Sequence, residues 1–279
     1  MTKRLAYLGP AGTFSEQAAF LYDPHAQLIP FPSVTAVAAA VDSGLADEGV
    51  MAIENSLEGS VTDTLDVLIH ESHLSIRREL VLPIELCLLA KPGAAADQVE
   101  IIFSHPQPLG QCRHFLESRF PKAHLTASLS TTVAVEQMLK QDKSAAVGTL
   151  RAAELYGVQV LAQGIQDNEN NETRFVVVAA ADSPPTGSDK TSLAFSVAQD
   201  QPGSLVDVLK EFSDRQINLA KIESRPTKRE LGKYIFLVDL EGHRTDPKVA
   251  EALEKVREQS YFFKVFGSYP RFDAATAAS

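Results

Sequence analysis

The stretch NNETRFVVVAA, residues 170–180, places a threonine and an arginine directly before an apolar run. The three valines at 176–178 are β-branched, and such a run predicts a core strand that is covered on both faces. Residues 166–172, immediately before it, are all polar. A solvated strand end would explain the threonine–arginine pair in isolation, so the rest of the chain decides whether the pair has a function.

Strand patterns and helix patterns alternate on the N-terminal side of this run. KRLAYLG (3–9) and GVMAIE (49–54) are typical of strands, and amphipathic patterns over 15–23 and 62–71 are typical of helices. The same alternation continues to about residue 157. It predicts α/β units with a largely parallel sheet.

The pattern changes on the C-terminal side. Two successive prolines and a glycine within residues 182–190 exclude regular structure and predict a linker. Residues 191–272 then follow the order β-α-β-β-α-β, which is that of a ferredoxin-like domain. We therefore expect one domain over 1–181, a second over 191–272, and a frayed tail over 273–279.

Composition excludes several classes of function. The chain has 279 residues and a formal net charge of −10, which argues against nucleic acid or an anionic membrane as a partner. An anionic small molecule would therefore have to be bound by local groups. The two cysteines lie in apolar patterns, no apolar run approaches about 18 residues, and the first residues lack a signal-peptide core. We expect a cytoplasmic protein.

Polar loops follow the predicted strands of the first domain. In open α/β sheets, ligands bind beyond the carboxyl ends of strands, where loops lead into helix N-termini that can hold carboxylates or phosphates. Each loop alone is also typical of an ordinary turn or helix cap. Four of them, together with the threonine–arginine pair, indicate a ligand site. The four loops are GPAGTFSEQ (9–17), NSLEGSVTD (55–63), PQPLGQC (106–112) and LSTTVAVEQ (129–137).

Several motifs, in family order across nearly the whole chain, resemble those of the prephenate dehydratases that carry a C-terminal regulatory ACT domain. The departures are small: Ala52 replaces a more usual proline, and residues 108–110 read Pro-Leu-Gly where Ala-Leu-Ala is common. Neither departure removes a functional group. The motifs are LGPAGTFSEQAA (8–19), AIENSLEGSVTDTLDVL (52–68), SHPQPLGQC (104–112), STTVAVE (130–136), IQDNENNETRF (165–175), and PGSL with ESRP (202–205 and 223–226).

The resemblance implies a fold and an activity. The first domain would form two α/β lobes around a cleft, similar to type II periplasmic binding proteins. It would convert prephenate to phenylpyruvate with loss of carbon dioxide and water, in phenylalanine biosynthesis. No metal and no organic cofactor is expected, because the reaction makes the substrate ring aromatic. The resemblance also implies feedback inhibition by L-phenylalanine at the ACT domain, and a homo-oligomer that is a dimer or a dimer of dimers.

Three residues are candidates for catalysis. The planar guanidinium of Arg174 suits bidentate binding of a substrate carboxylate, although an ion pair with an acidic residue is the alternative. The resemblance assigns Thr173 to a hydrogen bond with the leaving hydroxyl. In an extended strand these two side chains point to opposite faces, unless a strand end or bulge brings both to one cleft. Glu58 would act as a general acid if protonated, or would orient Arg174 or cap a helix.

Further polar side chains are candidates for substrate binding. His105, at a strand end, is expected to be a hydrogen-bonded structural residue. Phe175 is expected to pack beneath the strand, with contact to the substrate ring as a second role. The remaining candidates are Thr13, Ser15, Asn55, Ser56, Gln107, Thr131 and Thr132.

The C-terminal domain offers an amino-acid site. QPGSL opens a helix, and Gly203 with the first free N–H groups would receive a carboxylate. The neighbouring strand motif NLAKIESRP supplies the other side of the site. A plain ferredoxin-like domain that pairs with a second copy is the alternative, and the two are compatible. The candidate residues for L-phenylalanine are Gly203, Ser204, Leu205, Asn218, Leu219, Glu223, Ser224 and Arg225.

Two other functions are consistent with the motifs. An arogenate dehydratase performs the same chemistry on the amino analogue of prephenate. A non-catalytic sensor of aromatic acids would need an output module or a signal peptide, and the sequence shows neither.

Overall fold

The computed structural model describes residues 2–199, 201–228 and 233–273. Apart from Asp273, the predicted tail lies outside these residues. The strands are β1 (Arg4–Leu8), β2 (Gln27–Phe31), β3 (Glu48–Asn55), β4 (Gly59–Ser60), β5 (Ser75–Pro83), β6 (Cys87–Ala90), β7 (Ile101–Ser104), β8 (His124–Ala127), β9 (Ser144–Gly148), β10 (Gln159–Gln163), β11 (Glu172–Ala179), β12 (Asp189–Val197), β13 (Leu219–Pro226), β14 (Tyr234–Glu241) and β15 (Ser260–Pro270).

The helices pack on the faces of these sheets, and a π-helical turn, Val67–Glu71, continues directly from the third of them. Within the described ranges, no helix is both long enough and apolar enough to cross a bilayer. The α-helices are α1 (Phe14–Tyr22), α2 (Val34–Asp42), α3 (Thr62–Asp66), α4 (Pro106–Gln111), α5 (Arg113–Arg119), α6 (Thr131–Lys140), α7 (Leu150–Tyr156), α8 (Ser204–Ser213) and α9 (Pro247–Glu258).

The first lobe is built on a sheet of order β2-β1-β3-β11-β5, with the short β4 paired to β3. β1 runs parallel to β2 and β3, whereas β11 runs antiparallel to both β3 and β5. The prediction of a largely parallel sheet is therefore wrong. The reason is that β11 arrives from the other lobe and inserts between two strands of the first.

The second lobe is a five-stranded sheet of order β10-β6-β9-β7-β8. β7 is parallel to β8 and β9, while β6 is antiparallel to β9 and β10. The chain enters this lobe between β5 and β6 and leaves it between β10 and β11. This arrangement confirms the predicted α/β class and the prediction that the first domain forms two lobes.

The C-terminal domain is a four-stranded antiparallel sheet of order β13-β14-β12-β15. Helices α8 and α9 cover one face, and this confirms the ferredoxin-like βαββαβ order. β12 begins at Asp189, so the last two residues of the predicted linker belong to a strand. The Asp189 carboxylate accepts hydrogen bonds from Thr186 and from the N–H of Gly187, and these bonds hold the start of the strand.

The other face of this sheet packs on the first lobe. Ile235, Leu237 and Phe266 of the C-terminal domain belong to the same buried apolar cluster as Ile53 and Ile76 of the first lobe. Burial of a continuous apolar surface of this kind is the main favourable contribution to association of two units. The C-terminal sheet is therefore held against the lobe that contains β3 and β11.

Candidate active site

A cavity of about 570 Å³ lies between the two lobes. Its volume is in the range that is usual for small-molecule sites. Both lobes and the first half of β11 contribute side chains, as the carboxyl-end rule for α/β sheets predicts. The polar and aromatic lining residues include Thr13, Phe14, Ser15, Asn55, Glu58, Ser60, His105, Gln107, Gln111, Ser130, Thr131, Thr173 and Phe175.

Helix N-termini from both lobes point into this cavity. Thr13 caps α1 by accepting the N–H of Glu16 at 3.4 Å, and Ser130 caps α6 by accepting the N–H of Val133 at 3.1 Å. The N–H groups at the first two positions of a helix have no partner within the helix, and the helix dipole favours an anion there. Among the described lining residues none is arginine or lysine. Carboxylates in this cavity would therefore be received by neutral donors, and these helix ends are among them.

Thr173 lies at the start of β11, opposite Asn55 on β3. Asn55 Nδ2 donates to Thr173 Oγ1 at 3.0 Å, and Asn55 Oδ1 accepts the N–H groups of Leu57 and Glu58 at 3.0 and 3.1 Å. Because an amide oxygen must face those two N–H donors, the orientation of the Asn55 side chain is fixed. The Thr173 hydroxyl hydrogen has no acceptor among the described residues, so it is available to a ligand.

Glu58 and Gln111 face each other across the cleft. Gln111 Nε2 lies 3.5 Å from Glu58 Oε1, and Gln111 Oε1 accepts from Asn171 Nδ2 at 3.3 Å. Gln111 therefore connects the second lobe to the loop before β11. It was not among the predicted site residues, although it belongs to the quoted motif SHPQPLGQC, and that motif was the signal that could have identified it.

Arg174 does not line the cavity. Its guanidinium lies on the opposite face of β11, where its nitrogens are 2.9 Å from Glu54, 3.4 Å from Glu79 and 3.0 Å from Asp239 of the C-terminal domain. The prediction that it anchors a substrate carboxylate is therefore corrected by the structure, and the alternative of an ion pair is what the structure shows. The physical reason is strand alternation: the strand stays extended at this point, so neighbouring side chains face opposite ways.

Two further candidates lie beside the cavity rather than in it. Ser56 Oγ donates to the carbonyl of Asn170 at 2.9 Å and accepts the N–H of Glu172 at 2.9 Å, so it fixes the approach to β11. Thr132 is buried and donates to the carbonyl of Ala11 at 2.9 Å, which joins the two lobes. Both hydroxyls are occupied by the backbone, and neither residue lines the cavity.

The remaining candidates of the first domain line the cavity. Thr13, Ser15, Gln107 and Thr131 do so from the helix N-termini, and Phe175 contributes its ring while packing in the core of the first lobe. His105 also lines the cavity. Its Nδ1 accepts the N–H of Gln107 at 3.4 Å and so caps α4, in line with the hydrogen-bonded structural role predicted for it. Ser130, a residue not predicted, caps α6 at the cavity wall.

The candidate effector residues fall on two elements of the C-terminal domain. Gly203 has a φ of 95° and directly precedes α8, with Ser204 and Leu205 in its first turn. Asn218 directly precedes β13, and the other candidates lie on that strand: Leu219, Glu223, Ser224 and Arg225. Within one chain, Glu223 is hydrogen bonded by Ser60 and Arg225 lies 3.1 Å from Asp66, so both contact the first lobe.

Within the parts of the chain that the structure describes, no three His, Cys, Asp or Glu side chains are grouped closely enough to hold a metal ion.

Comparison with known proteins identifies two families in succession. The prephenate dehydratase family model matches residues 5–183, and the ACT domain model matches residues 191–258. A bifunctional chorismate mutase/prephenate dehydratase of Aquifex aeolicus is 42% identical over 269 residues, which cover 96% of this chain and 74% of that protein. A prephenate dehydratase of Mycobacterium bovis is 40% identical over 286 residues, which cover 98% and 89%.

A solved structure shares the whole architecture. The prephenate dehydratase from Arthrobacter aurescens, determined in complex with L-Phe, superposes with a TM-score of 0.88 at 37% identity. The match covers 96% of this chain and 90% of that one. The resemblance that the motifs indicated is thus confirmed, and the chain belongs to the prephenate dehydratase family, with an ACT domain following the dehydratase domain.

Proposed function

We propose that the chain is a prephenate dehydratase, a carbon–oxygen lyase that converts prephenate to phenylpyruvate, carbon dioxide and water. One structural observation supports this proposal in addition to family membership. The hydroxyl of Thr173 is held by Asn55 with its hydrogen free, in a cavity between two lobes that is lined by helix N-termini. Such a cavity suits a dianion whose leaving hydroxyl needs a hydrogen-bond donor.

The chemistry requires little more than binding and one proton. When the carboxylate on the ring departs as carbon dioxide, its bonding electrons move into the ring, and the hydroxyl opposite leaves with the electrons of its own bond. Aromatisation supplies much of the driving force. A proton must reach the departing hydroxyl to give water, and Thr173 is too weak an acid to lose its own proton without a relay.

Glu58 is the group that we propose as the proton source. It lines the cavity on the loop after Asn55, and the N–H of Glu58 itself is bound by Asn55 Oδ1 at 3.1 Å. A carboxylic acid that is desolvated by bound substrate can act as a general acid, and such catalysis contributes about 10²–10⁴-fold in rate. Thr173 then orients the leaving hydroxyl and stabilises charge that develops on it.

We further propose that L-phenylalanine inhibits the enzyme by binding to the C-terminal domain, at Gly203–Leu205 and the β13 motif. Feedback requires that L-phenylalanine binds two states of the protein with unequal affinity. Residues 1–181 would form the catalytic part, 182–190 the linker and 191–272 the regulatory part. We expect the enzyme to act in the cytoplasm, where its two free cysteines would stay reduced.

Self-association is part of the same proposal. β13 is an edge strand of its sheet, and Ile222 on it and Tyr234 on β14 are each 48% exposed. An exposed edge with apolar side chains is a ready template for pairing with another chain. We expect a dimer or a dimer of dimers in sedimentation equilibrium; a monomer at micromolar concentration would contradict this part.

One experiment tests the activity and its specificity. Purified protein is supplied with prephenate or with arogenate, each with and without L-phenylalanine, and the aromatic product is identified by chromatography. We expect phenylpyruvate from prephenate, with a rate that falls when L-phenylalanine is added. Phenylalanine from arogenate at a higher kcat/KM would assign the arogenate dehydratase activity, and no product from either compound would refute the proposal.

A further inference from the structure

Two neighbouring residue pairs on β3 and β11 face opposite sides of the sheet. Asn55 and Thr173 are register partners and face the cavity. Glu54 and Arg174 are the next register partners, and they face the C-terminal domain. Each member of the second pair is bonded through the backbone to a member of the first. Movement of the backbone at Glu54 or Arg174 is therefore passed directly to Asn55 and Thr173.

A bulge in β3 determines which of its side chains face the cavity and which face the C-terminal domain. Arg174 pairs with Glu54 but Phe175 pairs with Ala52, so Ile53 is an additional residue on β3. Ile53 belongs to the apolar cluster that is shared with the C-terminal domain, while Ala52 lines the cavity. Bulges are common beside active sites, where they re-aim a side chain. Here the extra residue lets Glu54 face the C-terminal domain while Asn55 still faces the cavity.

The C-terminal domain holds this second pair with charged groups from two strands. Asp239 on β14 is 3.0 Å from the Arg174 guanidinium, and Lys221 on β13 is 2.9 Å from Glu54. Lys221 also donates to Ser60 Oγ at 2.7 Å, and Ser60 lines the cavity. The contacts thus run without interruption from two strands of the C-terminal sheet to the wall of the cavity.

Burial restricts these charged side chains to one arrangement. The side chains of Arg174 and Asp239 are only 12% and 11% exposed. Burial alone would lower the pKa of Arg174, but the charges of Asp239, Glu79 and Glu54 raise it above its ordinary value. Burial would likewise raise the pKa of Glu54, yet Lys221 and Arg174 hold it below its ordinary value. Removal of one partner from a buried, hydrogen-bonded pair is strongly unfavourable, so the charges keep one arrangement.

We propose that Arg174 and Glu54 are positioning residues for the dehydration, and that Asp239 and Lys221 of the C-terminal domain hold them so that Asn55 and Thr173 stay aligned in the cavity. This inference rests on the proposed dehydratase activity. It assigns the arginine beside the reactive threonine to the interface with the regulatory domain, and it gives that domain a part in turnover even when no L-phenylalanine is bound.

Two variants test the proposal at residues that do not themselves line the cavity. Asp239→Asn removes a charge with almost no change of shape, and Arg174 keeps Glu54 and Glu79 as partners. Lys221→Met removes the second contact and keeps the aliphatic stem. The matched controls are Glu258→Gln and Lys255→Met, because these two residues form an exposed ion pair, 2.8 Å apart, on α9 of the same domain.

We expect each test variant to lower kcat for prephenate by about 10-fold or more, since small misplacement of a reacting group is costly, while KM stays within about twofold. Amide hydrogen exchange, followed by mass spectrometry, should become faster in peptides that cover 53–62 and 170–176. Neither control should change kcat or exchange in those peptides.

Other results would overturn the proposal. Wild-type kcat in both test variants would do so, as would a rise in KM alone, because that pattern indicates loss of ground-state binding. Unchanged exchange at 53–62 and 170–176 would also overturn it, whatever the activity. If the wild-type protein failed to turn over prephenate, the proposed function would fall, and the exchange measurement would still decide whether the C-terminal domain holds this strand pair.

Discussion

At the scale of single residues, the hydrogen-bond pattern around Thr173 predicts what its substitution does. Asn55 Nδ2 donates to the hydroxyl oxygen, and among the described residues this is the hydroxyl's one partner. Thr173→Ala should therefore leave the fold intact and lower kcat by about 10²–10³, the usual cost of one donor to a transition state. Initial rates at saturating prephenate measure this, and calorimetry confirms folding.

The matched control is Thr173→Ser, which retains the hydroxyl but not the β-branch. It should keep most of the turnover, with a modest loss because serine is less restricted at χ1. Equal loss in the serine and alanine variants would mean that the methyl group, rather than the hydroxyl, is what the site requires.

We expect the activity to be more sensitive to a charge at position 55 than to a change in the size of that side chain. In Asn55→Asp, a carboxylate replaces the amide that donates to Thr173 and to Asn171 Oδ1 at 2.8 Å. The new charge also repels a dianion in a cavity whose described lining includes no arginine or lysine. We expect kcat/KM for prephenate to fall by at least about 10², as for loss of a preorganised donor.

Asn170→Asp provides the comparison, because it adds the same charge on a nearby exposed loop residue that does not line the cavity. It should retain kcat/KM within about threefold, as exposed charges are strongly screened. Similar losses in the two aspartate variants would show that the effect is long-range repulsion and not the Asn55 hydrogen bond.

The sequence predicted which residues form the site better than it predicted which way they face. Strand alternation required Thr173 and Arg174 to face opposite sides unless a bulge intervened. The sequence alone does not say which side holds the cavity, because the C-terminal sheet that covers the other face is distant along the chain. The carboxylates that neutralise Arg174 come from β3, β5 and β14, and only the fold brings them together.

At the scale of elements, the missed strands share a physical cause. β2 contains Pro30 and lies at a sheet edge, where proline is tolerated, so its pattern is not that of a buried strand. β10 is also an edge strand, and only half-buried. Helices α4 and α5 are separated at Cys112, whose φ of −111° and ψ of 16° lie outside the helical region. The strands at the sheet centres were predicted, because their apolar runs are continuous.

The cysteines of β6 and of the α4–α5 junction are expected to be inert in the native protein. Burial raises the pKa of Cys87 to about 11 and that of Cys112 to about 12, from an ordinary value of 9.0. Only a thiolate reacts with disulfide reagents, so no thiol should titrate in native protein at about pH 8, and both should titrate in denaturant.

The same pKa shifts make the stability of the folded protein depend on pH. Because the folded pKa values lie above the unfolded value, the protonated thiols stabilise the folded chain below about pH 9, and this contribution is lost as the pH rises towards 11 and 12. Rapid reaction of one thiol in native protein near neutral pH would show that the second lobe opens around it.

At the scale of the whole molecule, the docking of the C-terminal domain depends on close backbone contact. Lys264 on β15 donates to the carbonyls of Leu68 and Ser72, both at 2.6 Å, and so binds the end of the π-helical turn of the first lobe. Beside it, Gly267 has a φ of 148°, and the backbone of Ile76 on β5 passes directly over it. The sequence could not indicate this contact, because nothing local distinguishes this glycine from one in a turn.

Gly267→Ala should therefore disturb the docking itself. A Cβ at this position would lie 2.2 Å from the carbonyl oxygen of Ile76, and no rotamer change can relieve a clash with backbone. We expect the free energy of unfolding to fall by about 3 kcal/mol, at the upper end for overpacking. This would be seen as a lower midpoint in calorimetry and as faster proteolysis within residues 182–188.

Gly110→Ala is the control, since nothing lies within 4 Å of a Cβ there and alanine favours a helix. Wild-type stability in Gly267→Ala would mean that the two units are not packed backbone to backbone, and the proposed hold of the C-terminal domain on β3 and β11 would lose its support.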